Sequence, residues 1–278
     1  MANDLHARYE HFVASHRLTR QTINAVEWEY IQAGRGPCLL LLPGALGVAD
    51  TSFQLIEAFE ADYRVLAPRY PAEFTLLAEL LDNLALLLKH ECALPAHVLG
   101  GSYSGLVAQA FVRRYPELVA SLILTHTGLP SPLRSFAVRI ATALLGLSSD
   151  RLIQKTFLAL IGTFLPAKDP IQAFWRDYFC ALITRLSRAD YLSRLKIGID
   201  FDSNYRFVAQ QAPNWQGPVL IIDSPHDGIF SQKERDGLRR LYPQAEQHSL
   251  IAKGHAASLD QLEQTIVLMR RFLNKHNQ

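Results

Sequence analysis

Sulfur is scarce in this chain: three cysteines and two methionines in 278 residues. Cys38, Cys92 and Cys180 are scattered. They make no paired metal spacing and no disulfide framework, so three free thiols in a reducing, cytoplasmic compartment are expected. Long apolar runs are also missing. No stretch is long enough to cross a bilayer, and the polar opening MANDLHARYEHF does not read as a signal peptide. Neither sign of charge dominates. Lys and Arg number 28 against 26 Asp and Glu, a net of +2, which gives no reason to invoke nucleic acid or an anionic membrane. There is no internal repeat, no G-x-G-x-x-G and no P-loop. His90, His97, His126 and His248 show no ligand spacing, so neither metal nor cofactor is expected. His126 ends a predicted strand, where lining a pocket and being a buried, hydrogen-bonded histidine are both open.

What is present is core. At 49% hydrophobic and 19% charged, the chain can fill one large α/β domain, or one domain with an insertion. Residues 18–23 and 26–31 are β-prone runs around Asn24-Ala25, which predicts a hairpin. Apolar runs at 38–42, 63–67, 96–99 and 119–125 predict buried strands, with helices at 51–59, 74–90 and 105–115 between them. Strands alternating with helices imply a mainly parallel sheet covered on both faces. The alternation stops near Gly128. Helical patterns follow at 134–147, 150–164, 170–185 and 188–195, with no convincing strand before Trp215. A strand at 218–222, a helix at 231–241, a strand near 247–251 and a last helix at 258–274 complete the reading. The expected division is a core of 1–128 and 215–278, with a helical cap of 129–214 that excludes water from a site.

The chemistry centres on Val98-Leu99-Gly100-Gly101-Ser102-Tyr103-Ser104-Gly105. A buried strand, a sharp turn of small residues and a helix form the setting of a nucleophile elbow, with Ser102 at its apex. The pattern is G-x-S-x-S, with Ser104 where a second glycine is usual. A serine hydroxyl needs a base in reach and a third group to orient that base. The elbow demands the order Ser, then acid, then His. Asp227 lies in the loop after strand 218–222, and His255 lies between the last strand and the last helix. Asp227 is the expected orienting acid and His255 the general base. Asp223, at the strand end, competes with Asp227, and His226 sits in the acid loop. Two backbone N–H groups must hold an oxyanion. Tyr103, after the nucleophile, offers one. Ala45, after Pro43-Gly44, offers the other, or Leu46 if the register slips.

These residues resemble the α/β-hydrolase superfamily over nearly the whole chain. LLLLPGALG resembles its oxyanion segment, VLGGSYSGLVAQAF its elbow, PVLIIDSPHDGIF its acid loop and AKGHAASL its histidine loop. Pro43 departs from the histidine often found there. The resemblance implies an eight-stranded sheet with its second strand antiparallel, a cap after the sixth strand, and Ser102, Asp227 and His255 as triad. Within the superfamily, LPGALGVADTSFQLI, YRVLAPRYP, SRLKIGID and LRRLYPQAEQHSL look similar to maspardin-like members. Maspardin is regarded as a binding protein without demonstrated hydrolase activity.

The implied activity is hydrolysis of a small ester or acyl substrate with an apolar portion. The alternatives are a maspardin-like adaptor, amide or peptide cleavage (GGSYSG also resembles proline iminopeptidases), and C–C cleavage. Haloalkane dehalogenases and epoxide hydrolases carry Asp where Ser102 sits. Phe136, Leu144, Phe157, Phe164 and Trp175 are the cap residues that could shape an apolar pocket, though most are expected to pack cap on core.

Overall fold

The computed structural model describes residues 2–91, 94–207, 215–252 and 254–277, with only the backbone described for residues 2, 3 and 164. Strands β1 (Leu18–Ile23) and β2 (Val26–Ala33) form the expected antiparallel hairpin. Asn24 and Ala25 close it with φ of 51° and 62°. Positive φ at both positions gives a turn whose twist suits the two strands. The other strands are β3 (Cys38–Leu42), β4 (Arg64–Pro68), β5 (Ala96–Gly101), β6 (Val119–Thr125), β7 (Val219–Asp223) and β8 (Glu246–Ser249). The eight lie in the order β1-β2-β4-β3-β5-β6-β7-β8. β2 is antiparallel to both its neighbours, and every pair from β4 through β8 is parallel.

All five residues of β3 and of β7 are buried, which is why these strands read as unbroken apolar runs. One face is covered by α1 (Ala2–Ser15), α2 (Phe53–Phe59), α10 (Ala257–Asp260) and α11 (Leu262–Lys275), through Phe12, Phe53, Phe59, Met269 and Phe272. The other is covered by α3 (Leu77–Glu91), α4 (Tyr103–Arg114) and α9 (Gln232–Leu241), through Leu80, Leu84, Phe111 and Leu238. The carboxyl ends of the central parallel strands stay open, and there the site forms.

Four helices stand between β6 and β7: α5 (Pro132–Gly146), α6 (Asp150–Phe164), α7 (Pro170–Arg185) and α8 (Arg188–Asn204). Their own buried cluster is Ile153, Ile183, Leu186 and Tyr191. Four such side chains contribute on the order of 10 kcal/mol at most. The layer therefore leans on the sheet. Phe174 and Trp175 of α7 pack with Phe53, and Ile197 and Phe201 of α8 enter the opposite core.

Several boundaries differ from the sequence expectation. α8 runs nine residues past Leu195. Gly198, Asp200 and Asp202 depress the local propensity there, but tertiary contacts hold it. Asp200 accepts from the Leu77 N–H at 2.8 Å, and Asp202 accepts from Arg134. The former bond also fixes the start of α3 at Leu77 rather than Phe74. The last helix breaks at Gln261, whose side chain accepts from the Ala252 N–H at 2.6 Å. The cysteine expectation is corrected as well. Cys38 is disulfide-bonded and Cys180 is free, while Cys92 lies outside the described residues. Spacing along the sequence does not report which cysteines the fold brings together, and cysteine usage carries no argument for a reducing compartment. Among the described residues, no helix is long and apolar enough to cross a membrane.

Candidate active site

Ser102 stands between β5 and α4 with φ 53° and ψ −121°. A non-glycine residue in that region costs roughly 1–3 kcal/mol and needs support from its surroundings. Its N–H donates to the Thr125 carbonyl at 2.8 Å, and the Thr127 hydroxyl donates to its carbonyl at 2.9 Å. Strand and helix nearly touch beneath it. A Cβ on Gly100 would lie 2.4 Å from the Ser104 carbonyl oxygen, and one on Gly105 would lie 2.6 Å from the Thr127 side chain. Ser104 fits because it ties the turn. Its hydroxyl accepts from the Gly101 N–H at 2.9 Å and donates to the Gly101 carbonyl at 2.8 Å. Gly105 supplies the close approach that the second glycine of the usual pattern would give.

The acid and histidine loops converge on this turn. Ser224 donates to the Gly254 carbonyl at 2.6 Å, and the Gly254 N–H donates to the Pro225 carbonyl at 3.0 Å. His255 Nε2 then lies 2.7 Å from Ser102 Oγ, and His255 Nδ1 lies 2.9 Å from Asp227 Oδ2. The second oxygen of Asp227 accepts from the N–H groups of Ile229 and Phe230 at 2.8 and 3.0 Å. Burial pushes the Asp227 carboxyl up, but the hydrogen bond and charge of His255, with those two N–H groups, outweigh it and hold it below the usual range. An ionised carboxylate only accepts. Nδ1 therefore carries the proton, and Nε2 turns its lone pair to the serine hydroxyl.

The competing residues sit elsewhere. Asp223 is taken up by Arg239 and by the Ser249 hydroxyl at 2.6 Å. His226 is exposed. Ala45, in the loop after β3, and Tyr103, at the start of α4, line one cavity of about 70 Å³ together with Leu46, Phe157, Leu186 and Tyr191. α8 is fastened beside this loop, because buried Arg194 donates to the carbonyls of Tyr70 and Pro71. Of the other named apolar residues, Phe157 reaches the cavity, Trp175 is buried in the core, and Phe136 and Leu144 are exposed. The side chain of Phe164 lies outside the described residues. Among the described residues, no cluster of three or more His, Cys, Asp or Glu side chains could hold a metal ion.

His126 was only half legible as a member of this site. It is buried, has φ 45°, and neither ring nitrogen has a hydrogen-bond partner among the described residues. Its ring meets that of His255 edge-on, with centroids 6.3 Å apart. Burial first, then the charge of His255, push it down to about 4, against the opposing pull of Asp227 and Asp223. A depressed folded value means that the stabilisation is present above the ordinary value of 6.5 and is lost as pH falls toward 4. That shift corresponds to at most about 3 kcal/mol. The wild type is expected to lose up to that much more stability than His126→Asn across this window, read from urea midpoints. Asparagine tolerates positive φ and does not titrate. Equal losses in the two proteins would contradict the assignment.

A mostly parallel eight-stranded sheet with a strained serine turn at a strand end defines a class of protein, and comparison with known proteins gives the same class. Residues 39–266 match the alpha/beta hydrolase family, and the chain belongs to it. The chain is similar to a pyrrolizixenacetamide deacetylase of Xenorhabdus hominickii, 23% identical over 267 residues that cover 92% of this chain and 98% of that protein. Among solved structures, it resembles a hydrolase from Pseudomonas aeruginosa with a TM-score of 0.77 at 17% identity, covering 92% and 98% of the two chains. It also resembles a thermophilic esterase from Thermogutta terrifontis with a TM-score of 0.75 at 19% identity, covering 94% and 100%.

Proposed function

We propose that this protein is a serine hydrolase that cleaves a carboxylic ester through an acyl-enzyme. The observation that carries the reading is the unbroken hydrogen-bond chain from Ser102 through His255 to Asp227, at 2.7 and 2.9 Å, on a strained turn. Ser102 Oγ attacks the ester carbonyl while its proton passes to His255 Nε2. The backbone N–H groups of Ala45 and Tyr103 hold the oxyanion. The leaving alkoxide takes the proton from Nε2 and departs as alcohol. Water then gives a proton to Nε2, attacks the acyl carbon and releases the acid, and Ser102 recovers its proton. Asp227 keeps its charge throughout and holds the imidazolium. Residues 129–214 act as a cap that limits water, over a core of 1–128 and 215–278.

The cavity beside Ala45 and Tyr103, about 70 Å³ and walled by Leu46, Phe157 and Leu186, suits a short acyl group. The Xenorhabdus relative is a deacetylase by name, which favours an acetyl group and keeps an amide as the second reading for the bond. The protein is expected to hydrolyse p-nitrophenyl acetate. kcat/KM is expected to fall at least about tenfold once the acyl chain outgrows the cavity. Folded protein that cleaves no ester of the series would sink the ester reading.

A further inference from the structure

Four large apolar side chains of α5 and one at its C-cap are turned to solvent: Leu133 (79% exposed), Phe136 (64%), Ile140 (50%), Leu144 (63%) and, at the cap, Leu147 (90%). Spaced three or four residues apart, they share roughly 80° of helix arc. Leu152 and Leu160 of α6 are exposed as well. Single exposed leucines are ordinary, but a stripe of this length is not. Overall charge conceals what surrounds it. No glutamate stands between Glu117 and Glu234. Within 132–164 the one acid is Asp150, already paired with Arg188 at 2.8 Å, against Arg134, Arg139, Arg151 and Lys155. Arg134 is engaged by Asp202 and Glu234. The side chains of Arg151 and Lys155 are exposed and have no partner among the described residues.

We infer that the exposed sides of α5, packed on α8, and of α6, packed on α7, are a docking face for an anionic lipid surface. Leu133, Phe136, Ile140, Leu144 and Leu147 enter the headgroup boundary, and Arg139, Arg151 and Lys155 meet the anionic headgroups. The composition separates this occupant from others. A second copy packed symmetrically would bring the same unpaired cations together with no acid to answer them. Protein-binding patches are rich in Tyr, Trp and Arg at their centres. This stripe is aliphatic with one phenylalanine, and its cations lie off the stripe, as in helices that rest in a membrane interface. Phe157, also on α6, lines the cavity next to Ala45 and Tyr103. Docking would thus lay the roof of the candidate site against the lipid.

The test is flotation of the full chain with vesicles of phosphatidylglycerol and phosphatidylcholine in equal parts, beside vesicles of phosphatidylcholine alone. The wild type is expected to float with the anionic vesicles and not with the neutral ones. Arg151→Glu with Lys155→Glu should lower the bound fraction by about fivefold or more per cation. Leu144→Ser with Leu147→Ser should lower it by about tenfold or more. All four side chains are exposed, so unchanged melting temperatures will show that the variants fold. Three results would overturn the inference: no flotation at all, equal flotation with both vesicles, or a dimer in sedimentation that the leucine variants disrupt. The readout is binding, not turnover, so it stands or falls separately from the ester-cleaving reading.

Discussion

Ser102→Ala is expected to lower kcat on p-nitrophenyl acetate by about 10⁶-fold while leaving the protein folded. The size of the loss follows from the arrangement. Without Oγ, His255 Nε2 has no hydroxyl to deprotonate, and the remaining groups can only hold substrate and polarise its carbonyl. The fold should barely respond. Among the described residues Ser102 Oγ has one hydrogen-bond partner, His255, so its loss shifts stability by about 1 kcal/mol. The strained backbone is held by Thr125 and Thr127, which the substitution does not touch. A variant that retains a tenth of wild-type turnover would remove Ser102 from the reaction.

Asp227→Asn should cost about 10⁴-fold in kcat, for a reason specific to this loop. The Ile229 and Phe230 N–H groups hold one side-chain oxygen at 2.8 and 3.0 Å. In the variant the amide oxygen must stay with those donors, so the NH₂ group faces His255 Nδ1. Nδ1 then becomes the acceptor, the ring proton moves to Nε2, and the lone pair that Ser102 needs is gone. Asp223→Asn is the control. Asp223 is bonded to Arg239 and Ser249, so that change should alter stability more than kcat. Equal kcat losses from the two substitutions would argue against a special role for Asp227.

Much of this arrangement was legible locally. The run from Ala96 to Gly105 spells strand, turn and helix because small residues are required where the two backbones meet. The buried strands β3 and β7 are legible because strands covered on both faces leave no room for alternation. Pattern favoured Asp227 over Asp223 only by its place in the loop beyond the strand end. The folded chain adds Arg239, which lies 16 residues beyond Asp223 and engages it. The second half of α8 escaped detection because its helix is imposed by contacts from Asp200, Phe201 and Asp202, against weak propensity. Periodicity marked 134–147 as helical, but it does not tell which way its apolar residues face, and here Phe136, Ile140 and Leu144 face outward. His126 carries only the signal of a histidine at a strand end, since its strain and its missing partners are products of packing. The disulfide of Cys38 belongs with these: three scattered cysteines do not disclose which of them meet.

The central claim is that Ser102 is an activated nucleophile. The most direct measurement is labelling with a fluorophosphonate, followed by peptide mapping of the product. The account predicts one label per chain, carried on Ser102, with none on Ser102→Ala and a strong reduction on His255→Ala. Folded wild-type protein that takes up no label, or takes it up on another residue, would contradict it.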